Sequence, residues 1–469
     1  MSTGLSDNTW DSWAGSVPPL QRSTTLGPRH DPAATSTRLA QAELADQYMV
    51  YEAAGGVWHF AAGSAVSLTA HPTTITARAA GRTWTCPTGG RPLTAFAAAL
   101  SALSAVHGAH DGGRHFYGWA AFELAHILHA DPSDAGAGPL LHALIPSVEV
   151  TLTGDRTVVR AVDDAWLRKV ADLLAEPTTR QLPADGTTPE VTERTVAAGT
   201  AAYGSAVSRT VADIRAGLLE KAVVSRKVPL PAGPPVDFPA TYLAGRRANT
   251  PARSYLLDIG GYRAAGFSPE TVVEVGENGR VSTQPLAGTR ARGADPAENE
   301  RLRTELLTDP KEIHEHAVSV RLAWDEMAAV CRPGSVAAEE FMAVRPRGSV
   351  QHLASRVTGR LRTEAGPWDA FASLFPAITA TGVSKRSALQ ALARHEEGLR
   401  GLYGGAVFRG SAGGALDAAL VLRTLIGEGE ETYLRAGAGV TAQSSPERET
   451  EETCEKLRSV APHLRFAPH

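Results

Sequence analysis
The sequence predicts an α+β fold, and three observations carry that prediction. Short apolar, β-branched runs come in pairs around glycine turns: residues 272–275 and 281–283 flank Glu277-Asn278-Gly279, and residues 418–426 and 432–440 flank Gly427-Glu428-Gly429. Helical patterns fall in separate blocks, the longest over residues 300–331. No regular strand–helix–strand alternation and no repeat of solenoid length runs through the 469 residues, which leaves a layered domain of strand pairs and helices.

Taken in order, residues 1–40 are rich in Ser, Thr, Pro, Gly and Asp and read as a flexible tail, with residues 41–469 forming one large domain. Residues 47–66 alternate like strands around a Gly55-Gly56 turn. Residues 92–107 are an Ala/Leu-rich helix, and the aromatic run 116–128 reads as buried. Residues 175–193, with three prolines, read as a linker or long loop. Val207, Val211, Ile214 and Leu218 have helical spacing within residues 205–219. Residues 222–229 and 254–259 read as strands, and a last helix covers about 446–460.

Composition excludes several classes of function. The chain is 43% hydrophobic and 20% charged, ordinary for a protein with a large core. Its net charge of -4 offers no basic patch for a nucleic-acid backbone. Cys86, Cys331 and Cys454 are far apart and form no CxxC pair, which speaks against a disulfide framework or zinc site and fits a reducing cytoplasm. The N-terminus lacks a secretory signal pattern, and the apolar stretches are too short to span a bilayer. A cytoplasmic monomer with no membrane partner is the expectation.

Several side chains carry chemical promise. Two helical segments each hold an E-x-x-E pair, Glu312 with Glu315 and Glu449 with Glu452. Residues three apart share a helix face, so each pair can aim two carboxylates at one point, and a hard cation such as Mg2+ relieves their repulsion. Alone, each pair reads as a solvated acidic face. His316 lies one turn from Glu312 and Lys456 one turn from Glu452. The second pair follows Ala436-Gly437-Ala438-Gly439, where backbone can approach a ligand. Arg423 sits in an apolar strand pattern (ALVLRTLI), poised either to grip a carboxylate or to face solvent. Lys221 opens the apolar run KAVVSRKV, as a base if desolvated or as a snorkelling strand-edge lysine otherwise. Glu270 follows a Ser-Pro turn, and residues 285–290 form a turn whose amides could face an anion. These residues alone reach an anion-binding, metal-using enzyme with no named reaction.

The blocks KAVVSRKV, GFSPETVVEV, TQPLAGTRARG, DPKEIHEHAVSVR, LFPAITATG, RGLYGGAV, LVLRTL, YLRAGAGV and SPERETEETCEKL, in this order, resemble the chorismate-utilising enzymes across about residues 197–465. That family includes anthranilate, aminodeoxychorismate, isochorismate and salicylate synthases. The resemblance implies two antiparallel sheets packed face to face, helices outside, and an active site in the cleft between the halves. Lys221 stands where water-adding members have lysine and ammonia-adding members typically have glutamine, and water is the nucleophile that needs a general base. A glutaminase G-x-C-x-G motif is missing, so the chain carries no glutaminase of its own, and Lys221 speaks against an ammonia-using enzyme with a separate amidotransferase subunit. The blocks 379–382, RGLYGGAV and EETCEKL look most like salicylate synthases, whose product usually feeds siderophore or related assembly. An isochorismate synthase that stops after one step, and an ammonia-using enzyme, stay open.

The same resemblance implies roles. Lys221 activates a water that attacks C2 of chorismate, and Glu270 protonates the departing C4 hydroxyl. Glu315 and Glu452 hold Mg2+, with Glu312 and Glu449 contributing directly or through waters. Arg423 and Tyr403 meet the enolpyruvyl carboxylate, aided by amides near Gly437 and Gly439. His352, Gly288 and Thr289 line the pocket, and Lys456 balances charge. Two departures stand out: Gln284, where glutamate is frequent, and Ser384, where proline is frequent.

Overall fold
The computed structural model describes residues 13–15, 17–107, 114–176, 186–231, 233–347 and 350–467. Its first half runs through β1 (Arg22–Leu26), α1 (Pro32–Gln41), β2 (Tyr48–Glu52), β3 (Trp58–Ala70), β4 (Thr74–Ala79), β5 (Arg82–Pro87), α2 (Pro92–His107), β6 (His115–Ala120), α3 (Leu124–His129), β7 (Leu141–Leu152), β8 (Thr157–Ala161), α4 (Asp164–Ala175), α5 (Pro189–Ala197) and α6 (Thr200–Arg215). The second half begins with β9 (Lys221–Pro229), α7 (Phe238–Ala248), β10 (Arg253–Ile259), β11 (Tyr262–Ser268), β12 (Thr271–Val275), β13 (Arg280–Thr283), β14 (Leu286–Ala291), α8 (Pro296–Thr308) and α9 (Pro310–Val330). It ends with β15 (Ala337–Arg347), β16 (Val350–Arg360), α10 (Pro367–Leu374), β17 (Gly382–Val383), α11 (Lys385–His395), β18 (Ala406–Ser411), β19 (Leu416–Leu420), β20 (Thr424–Glu428), β21 (Glu431–Val440) and α12 (Pro446–Leu457).

Antiparallel pairing arranges the strands in two sheets that share the long pair β3–β7. One sheet runs β1-β8-β7-β3-β2-β10-β11-β20-β21-β9-β17. The other runs β5-β4-β3-β7-β6-β18-β19-β12-β13-β16, with β14 and β15 also on β16. Strand β3 serves β2 with residues 58–62 and β4 with residues 66–70, and its register against β7 shifts between Ser64 and Val66. A bulge of this kind bends a strand, which here carries it from one sheet into the other.

Between the sheets lies an aromatic-rich core of Tyr51, Tyr117, Trp119, Tyr255, Val407 and Ile426, among others. Two further cores lie on the outer faces, one under α1, α4, α7 and α12, the other under α2, α9, α10 and α11. The α+β layering with outer helices is therefore as the sequence predicts. Among the described residues, no helix is long and apolar enough to cross a membrane.

Four local expectations are corrected. Residues 22–41 are not a loose tail: β1 pairs with β8, and Asp31 caps α1 ahead of Pro32, burying Leu39 and Ala40. Trp13, Ala14 and Val17 are buried as well, while residues 1–12 and 16 lie outside the described part. The helical pattern 300–331 is two helices, because Pro310 disfavours helical geometry at Asp309, which ends α8 and caps α9 at once. Of residues 285–290, all but Pro285 form a strand with a bulge, not a turn: β14 pairs with β16 and shifts register around Gly288, whose φ of 80° suits glycine. The run 418–426 breaks into β19 and β20, since the chain crosses there from one sheet to the other. Residues 177–185 of the expected 175–193 loop lie outside the described part.

Candidate active site
A cavity opens where the two sheets diverge, between β9 and β21 on one side and β14 and β16 on the other. Both catalytic candidates, all eight binding candidates and the carboxylates Glu315 and Glu452 line it. Glu312 and Glu449 do not.

Arg423 enters from the link between β19 and β20, at φ 50°. A left-handed conformation disfavours a non-glycine residue by about 1–2 kcal/mol. The sheet crossing holds it there and turns its side chain inward. Its guanidinium lies 2.9 Å from His352 Nε2 and donates to the Arg347 carbonyl at 3.2 Å. A guanidinium only donates, so His352 Nε2 accepts and its proton sits on Nδ1, 3.0 Å from the Thr289 hydroxyl. Burial, with Arg423 and Lys456 nearby, holds the His352 pKa well below the ordinary range, so the ring is neutral. Burial and Arg347 lower Arg423 itself to about 10. It stays charged at neutral pH, with its nearest partners neutral, and presents a cation to the cavity.

Glu270 sits on the tight link from β11 to β12 and is 4% exposed. One carboxyl oxygen accepts from the Thr379 hydroxyl at 2.8 Å, the other from the Leu286 amide at 3.3 Å. Burial pushes its pKa up to about 7, against the opposing pull of those hydrogen bonds and of Arg423 and Lys456. It can therefore carry a proton near neutral pH.

Lys221, at the start of β9, reaches across to Glu315 of α9 and bonds its carboxylate. Room for that contact depends on Gly439 of β21, where a Cβ would fall 2.8 Å from Lys221 Cε. At Gly437 a Cβ would fall 2.7 Å from the Val224 carbonyl and 3.0 Å from the Tyr403 hydroxyl. Lys456 of α12 bonds Glu452 and donates to the Gly437 carbonyl, both at 2.8 Å. Burial alone would lower the Lys456 pKa and raise that of Glu452, but their mutual attraction shifts both the other way and keeps both charged.

The four glutamates do not form one metal cluster. Arg290 binds Glu312 at 3.0 Å. Glu449 is buried beside Glu452, and burial raises its pKa. His316 turns away from the cavity to meet Ser355 at 2.7 Å. Among the described residues, no group of three or more His, Cys, Asp or Glu side chains is arranged around a metal position. Mg2+, however, is commonly held by one or two carboxylates, with waters and substrate completing its shell. Glu315 and Glu452, both facing the cavity, supply that donor set.

Two supports escaped the sequence reading. Thr379, which holds Glu270, lies in a block noted only as resemblance. Beneath Tyr403, Glu396 bridges Arg400 at 2.5 Å and Arg435 at 2.7 Å, all three side chains at most 3% exposed. Arg435 was findable, as an arginine in the apolar strand YLRAGAGV; the pairing was not. Glu396→Ala would strand two buried guanidinium groups and is expected to destabilise the fold by about 3–5 kcal/mol, read as a lower urea midpoint.

Residues 47–462 match the family model described as chorismate binding enzyme. A salicylate synthase from Mycolicibacterium paratuberculosis is 51% identical over 56% of this chain and 58% of its own length. The chain thus spans less than two thirds of that relative. An anthranilate synthase component 1 from Streptomyces coelicolor is 34% identical over 81% of this chain and 79% of its own. In fold, the menaquinone-specific isochorismate synthase of Escherichia coli superposes with a TM-score of 0.71 over 94% of both chains at 20% identity, a likeness of fold alone.

Proposed function
The chain belongs to the chorismate binding enzyme family, and on that footing we propose that it is a salicylate synthase, converting chorismate through isochorismate to salicylate and pyruvate. The observation that carries its first step, which isochorismate synthases share, is the placing of Lys221 and Glu270 on one cavity, with Glu270 able to hold a proton near neutral pH. Support also comes from the 51% identity to a salicylate synthase.

In this reading Arg423 and Tyr403 receive the enolpyruvyl carboxylate, and the backbone around Gly437 and Gly439 lets it approach closely. Glu315 and Glu452 would hold Mg2+, which supplies a hard cation to the second substrate carboxylate. Substrate entry frees Lys221 from Glu315; once it has released its own proton to solvent, the amine takes one from water as that water attacks C2. Glu270 gives its proton to the C4 hydroxyl, which leaves as water. His352, fixed as the neutral Nδ1–H tautomer between Thr289 and Arg423, positions the guanidinium. The second step, loss of pyruvate, passes the C2 hydrogen to the leaving fragment within the substrate. It asks only that the reactive conformer be held. Water addition needs no ammonia, so the chain would act without an amidotransferase subunit.

Chromatography of products from protein, chorismate and Mg2+ tests this directly. Salicylate with equimolar pyruvate, abolished by EDTA, is the expected result. Isochorismate without pyruvate would make the chain an isochorismate synthase. Turnover only on adding ammonia would overturn the role of Lys221.

A further inference from the structure
Behind Glu270 lies a second, smaller cavity, lined by Glu270, Thr283, Ser319, Glu326 and Thr379 together with apolar side chains such as Val272, Leu374 and Ile378. Glu270 and Thr379 line this cavity and the main one alike, so they form the partition between them. Glu326, from α9, pairs with Lys385 of α11 at 2.8 Å, and its side chain keeps 20% of its exposure. The rear cavity therefore joins the buried Glu270 to a second, better exposed carboxyl. A bridging water needs only about 10–15 Å³ of free space, and one placed there would find the hydroxyl oxygens of Thr283, Ser319 and Thr379 as acceptors.

Proton accounting gives this arrangement a task, on the water-addition reading above. In each turnover the C2–O bond forms and the C4–O bond breaks. Lys221 gains the proton of the attacking water, and Glu270 loses one to the leaving hydroxyl. The reaction consumes no proton overall, yet the enzyme is left with an extra proton at Lys221 and one too few at Glu270. Before the next turnover Lys221 must release a proton to solvent and Glu270 must receive one. Bound substrate or product fills the front cavity, whereas the rear cavity reaches Glu270 without crossing it.

We propose that Glu326 resupplies the proton that Glu270 gives up, across the rear cavity, while product or the next substrate still fills the front one. The Glu326 carboxyl hands its proton to the Glu270 carboxylate and is reprotonated from solvent. Proton affinities agree with this: burial pushes Glu326 up to about 7, against Lys385 and helped by Asp325, and Glu270 to about 7, against Arg423 and Lys456. Arg347 also faces Glu270. Glu326 never touches substrate and acts through Glu270.

Rapid mixing of full-length Glu326→Gln protein with excess chorismate and Mg2+ tests the relay. At about pH 6, below its pKa of about 7, Glu270 starts mostly protonated, so the first turnover is expected at the wild-type rate, with later turnovers slowed about tenfold or more. The trace then shows a burst of one equivalent. Glu326→Asp is expected to restore steady turnover. Should Lys385, left unpaired, impair folding of Glu326→Gln, the double variant Glu326→Gln/Lys385→Met removes both charges and is expected to show the same burst. First and later turnovers both unchanged, or both slowed equally, would overturn the relay. A wild-type protein that leaves chorismate untouched would instead overturn the reading on which the relay rests.

Discussion

Glu270→Gln lowers kcat on chorismate by about 10²–10⁴ and leaves KM little changed. Glutamine keeps the shape of the side chain. Its carbonyl can accept from the Leu286 amide, and its NH2 can donate to the Thr379 hydroxyl, which rotates to accept. What is lost is the acidic proton. A matching pH dependence is expected in the wild type. The Glu270 pKa is raised to about 7, so the protonated, active form dominates below that value. It falls tenfold per pH unit above it. The ratio of wild-type to Glu270→Gln kcat/KM should therefore fall with unit slope on the alkaline side of about 7, because the Lys221 limb is common to both proteins and cancels. Steady-state kinetics on either side of neutrality measures both. An unchanged kcat in the variant would mean that the C4 hydroxyl leaves without help from Glu270.

Lys221→Ala is the second large effect, a loss of about 10²–10⁴ in turnover with neither isochorismate nor salicylate accumulating. The substitution also releases Glu315 from its ion pair. The protein is thus expected to keep its affinity for Mg2+ or to gain some, which isothermal titration can follow apart from activity. Turnover that survives Lys221→Ala would assign the base elsewhere. Coupled loss of turnover and Mg2+ binding would mean that the lysine serves the carboxylates and not the water.

Both predictions rest on residues that stand out in the sequence alone. Lys221 and Glu270 stand in blocks whose order and wording resemble a family, and the cavity then collects them. Locally encoded features were also legible: the helix 92–107, the turns at Gly55-Gly56 and Gly279, and the last helix with its E-x-x-E pair all follow from periodicity and turn residues. Where competing local signals met, the reading failed. Pro310 outweighed the helical run around it, and a strand pattern over 418–426 hid the crossing at Arg423. Residues 22–41 looked polar enough to be loose, yet Asp31 and Pro32 start a helix whose apolar face finds a core.

By itself, the sequence determined the class of fold, most of the elements and the membership of two candidate catalytic groups, because these follow from side-chain period, backbone restriction and the wording of short blocks. Which carboxylates face the cavity, and how each is charged, follows from packing between remote segments. Lys221 meets Glu315 across 94 positions of chain, Glu396 lies between two arginines, and Glu312 is taken by Arg290 and not by the cavity. Electrostatic partners and burial depend on distances between segments remote in sequence. A carboxyl such as Glu270 acquires its proton affinity only when the fold removes it from water.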